Sequence, residues 1–143
     1  MADWPDAAEL EGSLPAGRDG SFVIEVFAGE FSLSLALAVN HLRCLQPWDV
    51  LYGEKFDIEQ NGYILKDLAA RGRLSYVAIG TPCQSHSWGR LPALRSWQYP
   101  LGLPNLTEEQ RVLTEKGNLL ADFSARLAGA VLDSGGVLLH REP

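Results

Sequence analysis

The chain has 143 residues, about the length of one domain, which excludes a multidomain machine. Its 46% hydrophobic and 21% charged residues are typical of a folded globular protein and exclude a disordered tail, and no apolar run is long enough to cross a membrane. The net charge of -6 argues against a protein that coats nucleic acid through bulk charge, so any nucleic-acid contact must be local.

The first 20 residues and the cysteine content predict the cellular compartment of the protein. Two cysteines are too few for a disulfide framework, and residues 1–20 have neither the basic nor the apolar region of a secretory leader. We therefore expect an intracellular protein, nuclear or cytoplasmic. Because residues 1–20 contain prolines and glycines without helical or strand periodicity, they are predicted to form a flexible arm, and residues 21–143 the domain.

Hydrophobic patterning along residues 21–143 predicts alternating strands and helices. The predicted strands are 21–27, 45–52, 74–79 and one that begins at 137, and Pro47 interrupts the second of them. The predicted helices are 32–44, 58–73 and 107 to about 133, and residues 56–58 are either a short strand or a turn. The last helix opens with a capping box, Thr107 to Gln110. Its predicted apolar face contains Val112, Leu113, Leu119, Leu120, Phe123, Leu127 and Val131. This order implies an α/β fold with a parallel sheet flanked by helices.

Ligands of open parallel sheets bind beyond the carboxyl ends of the strands. Gly29 follows the first predicted strand and permits a tight turn beside the next helix's N-terminus. Asp49 follows the second, where an acid accepts hydrogen bonds from ribose hydroxyls. Since the chain has neither a dinucleotide-binding glycine motif nor a P-loop, a nucleoside without phosphates fits better. A turn glycine and a surface acid would give the same spacing, so that alternative stays open.

Two cysteines have different sequence contexts. Cys83 follows Pro82 at the start of a long polar loop, residues 84–106, close to hydroxyl groups and His86. This context is compatible with a reactive thiol and equally with a structural cysteine. Cys44 lies inside a predicted apolar helix and is therefore expected to belong to the core.

The stretch from Arg71 to Thr107 has no Asp or Glu in an otherwise acidic chain. Its four arginines are Arg71, Arg73, Arg90 and Arg95. Three aromatic residues are interleaved with them: Trp88, Trp97 and Tyr99. Arginines with exposed aromatic rings suit phosphate contacts and base stacking, and Arg90 and Arg95 are the candidate nucleic-acid-binding residues. The alternative is a loop that packs its tryptophans on its own domain.

Two motifs together resemble the cytosine-5 DNA methyltransferase family. The segment Glu25-Val26-Phe27-Ala28-Gly29 is similar to the family's first motif, which closes the first strand over the methionine part of S-adenosylmethionine. The segment Gly80-Thr81-Pro82-Cys83-Gln84-Ser85-His86-Ser87 is similar to the Pro-Cys motif that carries the nucleophile. The resemblance covers roughly residues 21–143 and implies a Rossmann-like domain that is incomplete on its C-terminal side.

The resemblance also implies an activity and a set of site residues. Cys83 would add to C6 of a flipped-out cytosine in DNA, and C5 would then take the methyl group of S-adenosylmethionine. Glu142 is the implied catalytic acid, although it is displaced by one residue from the family's Glu-Asn-Pro pattern. The implied cofactor-binding residues are Phe27, Ala28, Gly29, Asp49, Asp57 and Pro82. No metal ligands are assigned.

Departures from the family's pattern keep other functions open. Glu30 and Phe31 stand where the family has a small residue and a glycine, and they could crowd the methionine end of the cofactor. The first alternative is therefore an inactive Rossmann-like interaction or structural module, a fragment of a larger polyprotein. The second is a thiol hydrolase, in which Cys83 acts with His86 or His140 and needs an imidazole within hydrogen-bond reach.

Overall fold

The sheet has three parallel strands in the order β1, β2, β3, where β1 is Phe22–Val26, β2 is Leu74–Ile79 and β3 is Val137–His140. The computed structural model describes residues 4–10, 21–30, 32–82 and 92–140. These strands confirm three of the four predicted ones. In the observed register Val26 pairs with Ile79, which in turn pairs with His140. The carboxyl ends of all three strands therefore lie at the same end of the sheet, which we call its carboxyl edge.

The predicted strand over 45–52 does not form. Only two isolated parallel bridges, Val23 to Cys44 and Val26 to Trp48, join this segment to β1. Pro47 lies between them and has no amide hydrogen, so it interrupts a regular ladder. Residues 44–48 still run beside β1, on the edge that β2 does not use. The chain then enters a 3₁₀ turn at Val50–Tyr52.

Helix α2, Ser32–Val39, is shorter than the predicted helix over 32–44. The helix ends because the chain turns at Asn40 and His41, and His41 has a φ of 62°. Cys44 consequently lies outside the helix, beside β1, but it is buried as predicted for a core residue. Burial raises the pKa of its thiol and so disfavours the reactive thiolate form.

The predicted helix over 58–73 is divided at Gly62 into α3, Ile58–Asn61, and α4, Tyr63–Ala70. A Cβ at Gly62 would lie 2.6 Å from the Ile58 carbonyl oxygen and 2.6 Å from the Phe123 ring, so the glycine lets the chain approach the last helix closely. Residues 56–58 are not a strand. They include the end of a 3₁₀ turn and Asp57, whose side chain caps α3 by accepting from the Glu59 amide at 2.9 Å.

Helix α5, Glu108–Asp133, confirms both the predicted bounds and the capping box. The Gln110 amide donates to the Thr107 hydroxyl at 3.2 Å, and the Thr107 amide donates to the Gln110 side chain at 3.0 Å. The predicted apolar face was wrong at Val112 and Leu119, which are 55% and 43% exposed. These two lie off the stripe of three- and four-residue spacings that faces the sheet. The buried residues of α5 are Thr114, Gly117, Leu120, Phe123, Ser124, Leu127 and Val131.

Residues 4–10 pack on the domain, which differs from the flexible arm predicted for 1–20. They include a short helix, α1, Ala7–Leu10, and the Ala7 side chain is fully buried. The Gln46 amide donates to the Pro5 carbonyl oxygen at 2.8 Å, and Asp6 forms an ion pair with Lys55. Residues 1–3 and 11–20 lie outside the described ranges. Among the helices described, none has the length and apolar character needed to cross a bilayer.

Candidate functional site

The turn after β1 lies at the carboxyl edge of the sheet and contains three predicted cofactor-binding residues. Phe27 and Gly29 have φ values of 58° and 56°. A positive φ is uncommon for a residue with a side chain, and such strained positions cluster at functional sites. Ala28 is buried, and its amide donates to the Trp48 carbonyl oxygen at 3.1 Å. The turn therefore has a fixed backbone geometry.

Two side chains from the segment after residue 48 hold both backbone polar groups of Gly29. The Gly29 amide donates to Asp49 Oδ2 at 2.9 Å, and the Tyr52 hydroxyl donates to the Gly29 carbonyl oxygen. Asp49 Oδ1 also accepts from the Leu51 amide at 3.0 Å. We call Asp49, Tyr52 and Gly29 the Gly29 clamp. The structure thus brings together Gly29 and Asp49, the two residues that spacing alone assigned to a nucleoside.

Tyr52 is a residue of the clamp that the sequence analysis missed. Burial, reinforced by the negative charges of Asp49 and Glu25, raises the pKa of its hydroxyl to about 12. The phenol therefore stays protonated, and able to donate, well above neutral pH. The sequence carries no signal for it beyond a tyrosine three residues after the acid, in the same 3₁₀ turn.

Glu25, near the end of β1, is a buried carboxylate that connects the strand to α2. Its Oε2 accepts from the Ser34 amide at 2.9 Å and from the Ser34 hydroxyl at 2.8 Å. Ser34 lies in the first turn of α2, where amide groups have no partner within the helix and an anion is favourable. Glu25 therefore fixes the start of α2 directly behind the Phe27–Gly29 turn.

The chain that leaves β2 runs next to this turn. The Gly80 amide donates to the Val26 carbonyl oxygen at 3.0 Å, so the two strand ends are adjacent. The Thr81 hydroxyl lies 2.7 Å from the Ser124 hydroxyl, which itself donates to the Leu120 carbonyl oxygen at 2.8 Å. Thr81 is consequently the donor to Ser124, and this bond attaches the segment before Pro82 to α5.

Several predicted catalytic residues fall outside the described residues. Pro82 is exposed and is the last described residue before the range 83–91. Cys83, His86 and Arg90 lie within residues 83–91 and Glu142 within residues 141–143, and both ranges are outside the described residues. His140 itself is exposed at the end of β3. The roles of Cys83 and Glu142, and the thiol-hydrolase alternative, therefore stay predictions.

Asp57 has a structural role in the structure. Its carboxylate caps α3, and it belongs to a different turn from Asp49. The described residues show no contact between Asp57 and the Gly29 clamp. A role for Asp57 next to the adenine ring of a cofactor stays a prediction.

The three described arginines of the acid-free stretch do not form a common surface. Arg71 pairs with Asp67 at 3.1 Å, and Arg73 is only 4% exposed. Both precede β2, whereas Pro82 follows it, so a six-residue strand of roughly 20 Å separates them from the candidate site. Arg71 and Arg73, which were not among the candidate nucleic-acid-binding residues, therefore lie apart from the candidate site.

Arg95 is tied to α5 instead of pointing freely into solvent. Its guanidinium donates to Asn118 Oδ1 at 2.6 Å, to the Pro100 carbonyl oxygen at 2.6 Å and to the Thr114 carbonyl oxygen at 3.0 Å. Partial burial lowers its pKa. Arg95 thus fastens the segment after residue 92 to the helix, and its contact with nucleic acid stays a prediction. The Trp97 side chain is 89% exposed.

The space at the carboxyl ends of the strands consists of a small cavity and an open surface over Gly29. A cavity of about 20 Å³ lies between the ends of the strands, and it is too small for a nucleoside. Its lining includes Glu25, Phe27, Gly80 and Leu139. A Cβ placed on Gly29 would meet nothing within 4 Å, so the space over Gly29 is open. Each Asp49 oxygen keeps one lone pair free to accept a hydrogen bond beside this open space, whereas the cavity is too small to enclose a nucleoside.

No family model matches the chain, and neither a curated protein nor a solved structure matches it. The functional assignment therefore depends on the geometry at the carboxyl edge of the sheet.

Proposed function

We propose that the carboxyl edge of the sheet binds S-adenosylmethionine and that the domain is the cofactor-side part of a Rossmann-like, cytosine-5 DNA methyltransferase domain. The observation that carries this proposal is the direction of the two crossovers. From β1 the chain crosses to residues 44–48 on one side, and from β2 it crosses to β3 on the other side. β1 and β2 are therefore neighbouring strands whose crossovers leave in opposite directions. Open α/β sheets bind ligands at the carboxyl ends of two strands related in this way.

The residues at that point support a nucleoside in particular. Gly29, with open space above it, lets a ligand approach the backbone, and Asp49 presents a carboxylate beside it. Each Asp49 oxygen accepts one amide hydrogen bond and has a second lone pair, which suits a ribose hydroxyl. S-adenosylmethionine would supply an electrophilic methyl group there. Phe27, Ala28 and Pro82 would shape the site, and Asp57 is a more distant candidate contact.

The catalytic part of the proposal concerns Cys83 and DNA. Cys83 follows Pro82, whose neighbour Thr81 is held by Ser124, so the chain enters the proposed nucleophile loop from a fixed position. Cys83 would serve as the nucleophile and Glu142 as the acid. Arg90 and Arg95 would contact DNA. A covalent complex with 5-fluorocytosine DNA, present in the wild type and lost in Cys83→Ala, would support this part.

Cofactor binding is tested by equilibrium dialysis with labelled S-adenosylmethionine. We expect saturable binding by the wild type and at least ~10-fold weaker binding by Asp49→Asn. The asparagine side chain has one acceptor oxygen in place of two, and the Gly29 amide, the Leu51 amide and the ribose hydroxyl would compete for it. Asp122→Asn is the matched control, since its carboxylate is exposed on α5 and pairs with Arg126. Wild-type protein that binds no cofactor at millimolar concentration would overturn the proposal.

A second candidate is an inactive interaction or structural module, and two observations favour it. The amides of Ala28 and Gly29 both have acceptors within the protein, so neither is available to a ligand without rearrangement. The cavity between the strand ends is also too small for a nucleoside. This candidate predicts an unfolding midpoint that does not change with added S-adenosylmethionine or with Cys83→Ser.

A further inference from the structure

Phe56 contacts the two residues that hold the turn after β1. The Trp48 carbonyl oxygen accepts from the Ala28 amide at 3.1 Å, and the Tyr52 hydroxyl donates to the carbonyl oxygen of Gly29. The Phe56 ring meets both aromatic side chains edge to face, with its centroid 5.7 Å from that of Trp48 and 6.1 Å from that of Tyr52. Both distances are favourable for aromatic pairs. One side chain therefore supports two attachments of the turn.

Other contacts hold Phe56 itself. It ends the 3₁₀ turn Glu54–Phe56, its amide donates to the Gly53 carbonyl oxygen at 3.1 Å, and its ring packs against the hydrophobic core. Lys55 Nζ lies 5.9 Å from the centroid of the ring, within the range of a cation–π contact, and Lys55 also pairs with Asp6. These contacts place Phe56 independently of the turn that it supports.

We propose that Phe56 is a positioning residue of the candidate site, which acts through Trp48 and Tyr52 to keep the Phe27–Gly29 turn in one geometry. A ligand binds only to the fraction of molecules in which its site is correctly arranged, so a looser turn weakens the apparent affinity. This consequence for a ligand rests on the proposed function, whereas the effect of Phe56 on the turn does not.

Hydrogen exchange of the full chain tests the support of the turn without any ligand. Phe56→Leu keeps an apolar side chain but removes the ring. We expect the Ala28 and Gly29 amides to exchange at least ~5-fold faster in this variant, since one aromatic edge contact corresponds to about a 2- to 10-fold change in an equilibrium constant. Wild-type exchange rates at both amides would overturn the inference.

Two further variants separate a positioning role from a general loss of packing. Phe22→Leu also removes a ring from the core, but at the amino end of β1, roughly 13 Å along the strand from Val26. It should leave the exchange of both turn amides near the wild-type rates. Phe56→Tyr keeps the ring, and Phe56 borders an open cavity of about 570 Å³ that has room for the added hydroxyl. It should restore wild-type exchange, and a tyrosine variant that behaves like Phe56→Leu would contradict a role for the ring.

Equilibrium dialysis of the same proteins with labelled S-adenosylmethionine tests the consequence for a ligand. We expect at least ~5-fold weaker binding by Phe56→Leu, because fewer molecules have the turn in place, and wild-type binding by Phe22→Leu and Phe56→Tyr. Binding by Phe56→Leu at wild-type strength would contradict the inference. A wild type that binds no cofactor would instead contradict the proposed function, and the exchange rates would then decide the positioning role by themselves.

Discussion

Gly29 determines the geometry of the candidate site at the scale of single residues, because side chains hold both its amide and its carbonyl group. The clamp connects two segments that are twenty residues apart in the chain. Asp49 and Tyr52 therefore determine the backbone position of Gly29 that a ligand above it would contact. Two substitutions test how much this arrangement contributes to folding.

Tyr52→Phe should make stability less sensitive to alkaline pH. The pKa of Tyr52 is about 12 in the folded protein, whereas an unfolded tyrosine has a pKa of about 10. Between these values the folded state holds the proton more tightly, so the stabilisation is complete below pH ~10 and is lost as the pH rises towards ~12. Urea unfolding of the wild type at several pH values should show this decline.

The Tyr52→Phe protein provides the comparison, since it lacks the titrating hydroxyl and keeps the ring. The free energy of unfolding of Tyr52→Phe should decrease less over the same pH range than that of the wild type. Parallel declines in the two proteins would mean that other groups cause the alkaline loss.

Gly29→Ala should lower the free energy of unfolding by about 1–2 kcal/mol, because the φ of 56° is unfavourable for any residue with a Cβ. Steric contact adds nothing, since a Cβ there would meet no atom within 4 Å. Gly129→Ala is the matched control. It lies within α5, also with open space around a Cβ, and should raise the stability by about 0.5–1 kcal/mol. Equal effects of the same sign in urea unfolding would contradict this account.

At the scale of elements, Gly62 shows how a residue determines helix packing. Gly62→Ala should destabilise the protein by about 1–3 kcal/mol, because the new methyl group would collide with the Ile58 carbonyl oxygen and the Phe123 ring. The backbone φ of -60° is ordinary, so the expected cost is steric. Urea unfolding would measure it, and a stability within 0.5 kcal/mol of wild type would show that α3 and α5 can separate at little cost.

The elements that the sequence predicted correctly are those with strong local signals. The largely apolar sequence of β2 and the capping box of α5 each specify one structure through neighbouring residues. The segment over 45–52 was mispredicted because its apolar composition suits a strand, whereas Pro47 prevents the ladder that would make it one. The sequence shows the proline that interrupts this segment, but whether only isolated bridges remain depends on how the segment pairs with β1.

The candidate site was predictable only in part. The spacing of Gly29 and Asp49 indicated that they meet at the sheet edge, and they do. Tyr52 and the bond between Thr81 and Ser124 could not be predicted, because both depend on side chains that meet only after the elements pack. The burial of Arg73 likewise depends on its position before β2, which the count of arginines does not reveal.

At the scale of the whole molecule, the parallel sheet has two different edges. The edge beside β1 carries residues 44–48, which join it through two bridges, whereas the β3 edge has no described partner. The crossovers diverge between β1 and β2, and the Gly29 clamp lies at that point. The candidate ligand site therefore lies at the strand ends between the two inner crossovers, and not at either outer strand.

The central claim is that S-adenosylmethionine binds over Gly29. It is tested most directly by titrating isotopically labelled protein with this compound and following the backbone amides by two-dimensional NMR. The account predicts saturable shifts of the Gly29 and Gly80 amides in the wild type, with unchanged positions for amides near Asp122 on α5. No shift at Gly29 at millimolar concentration, or shifts confined to residues remote from the strand ends, would contradict it.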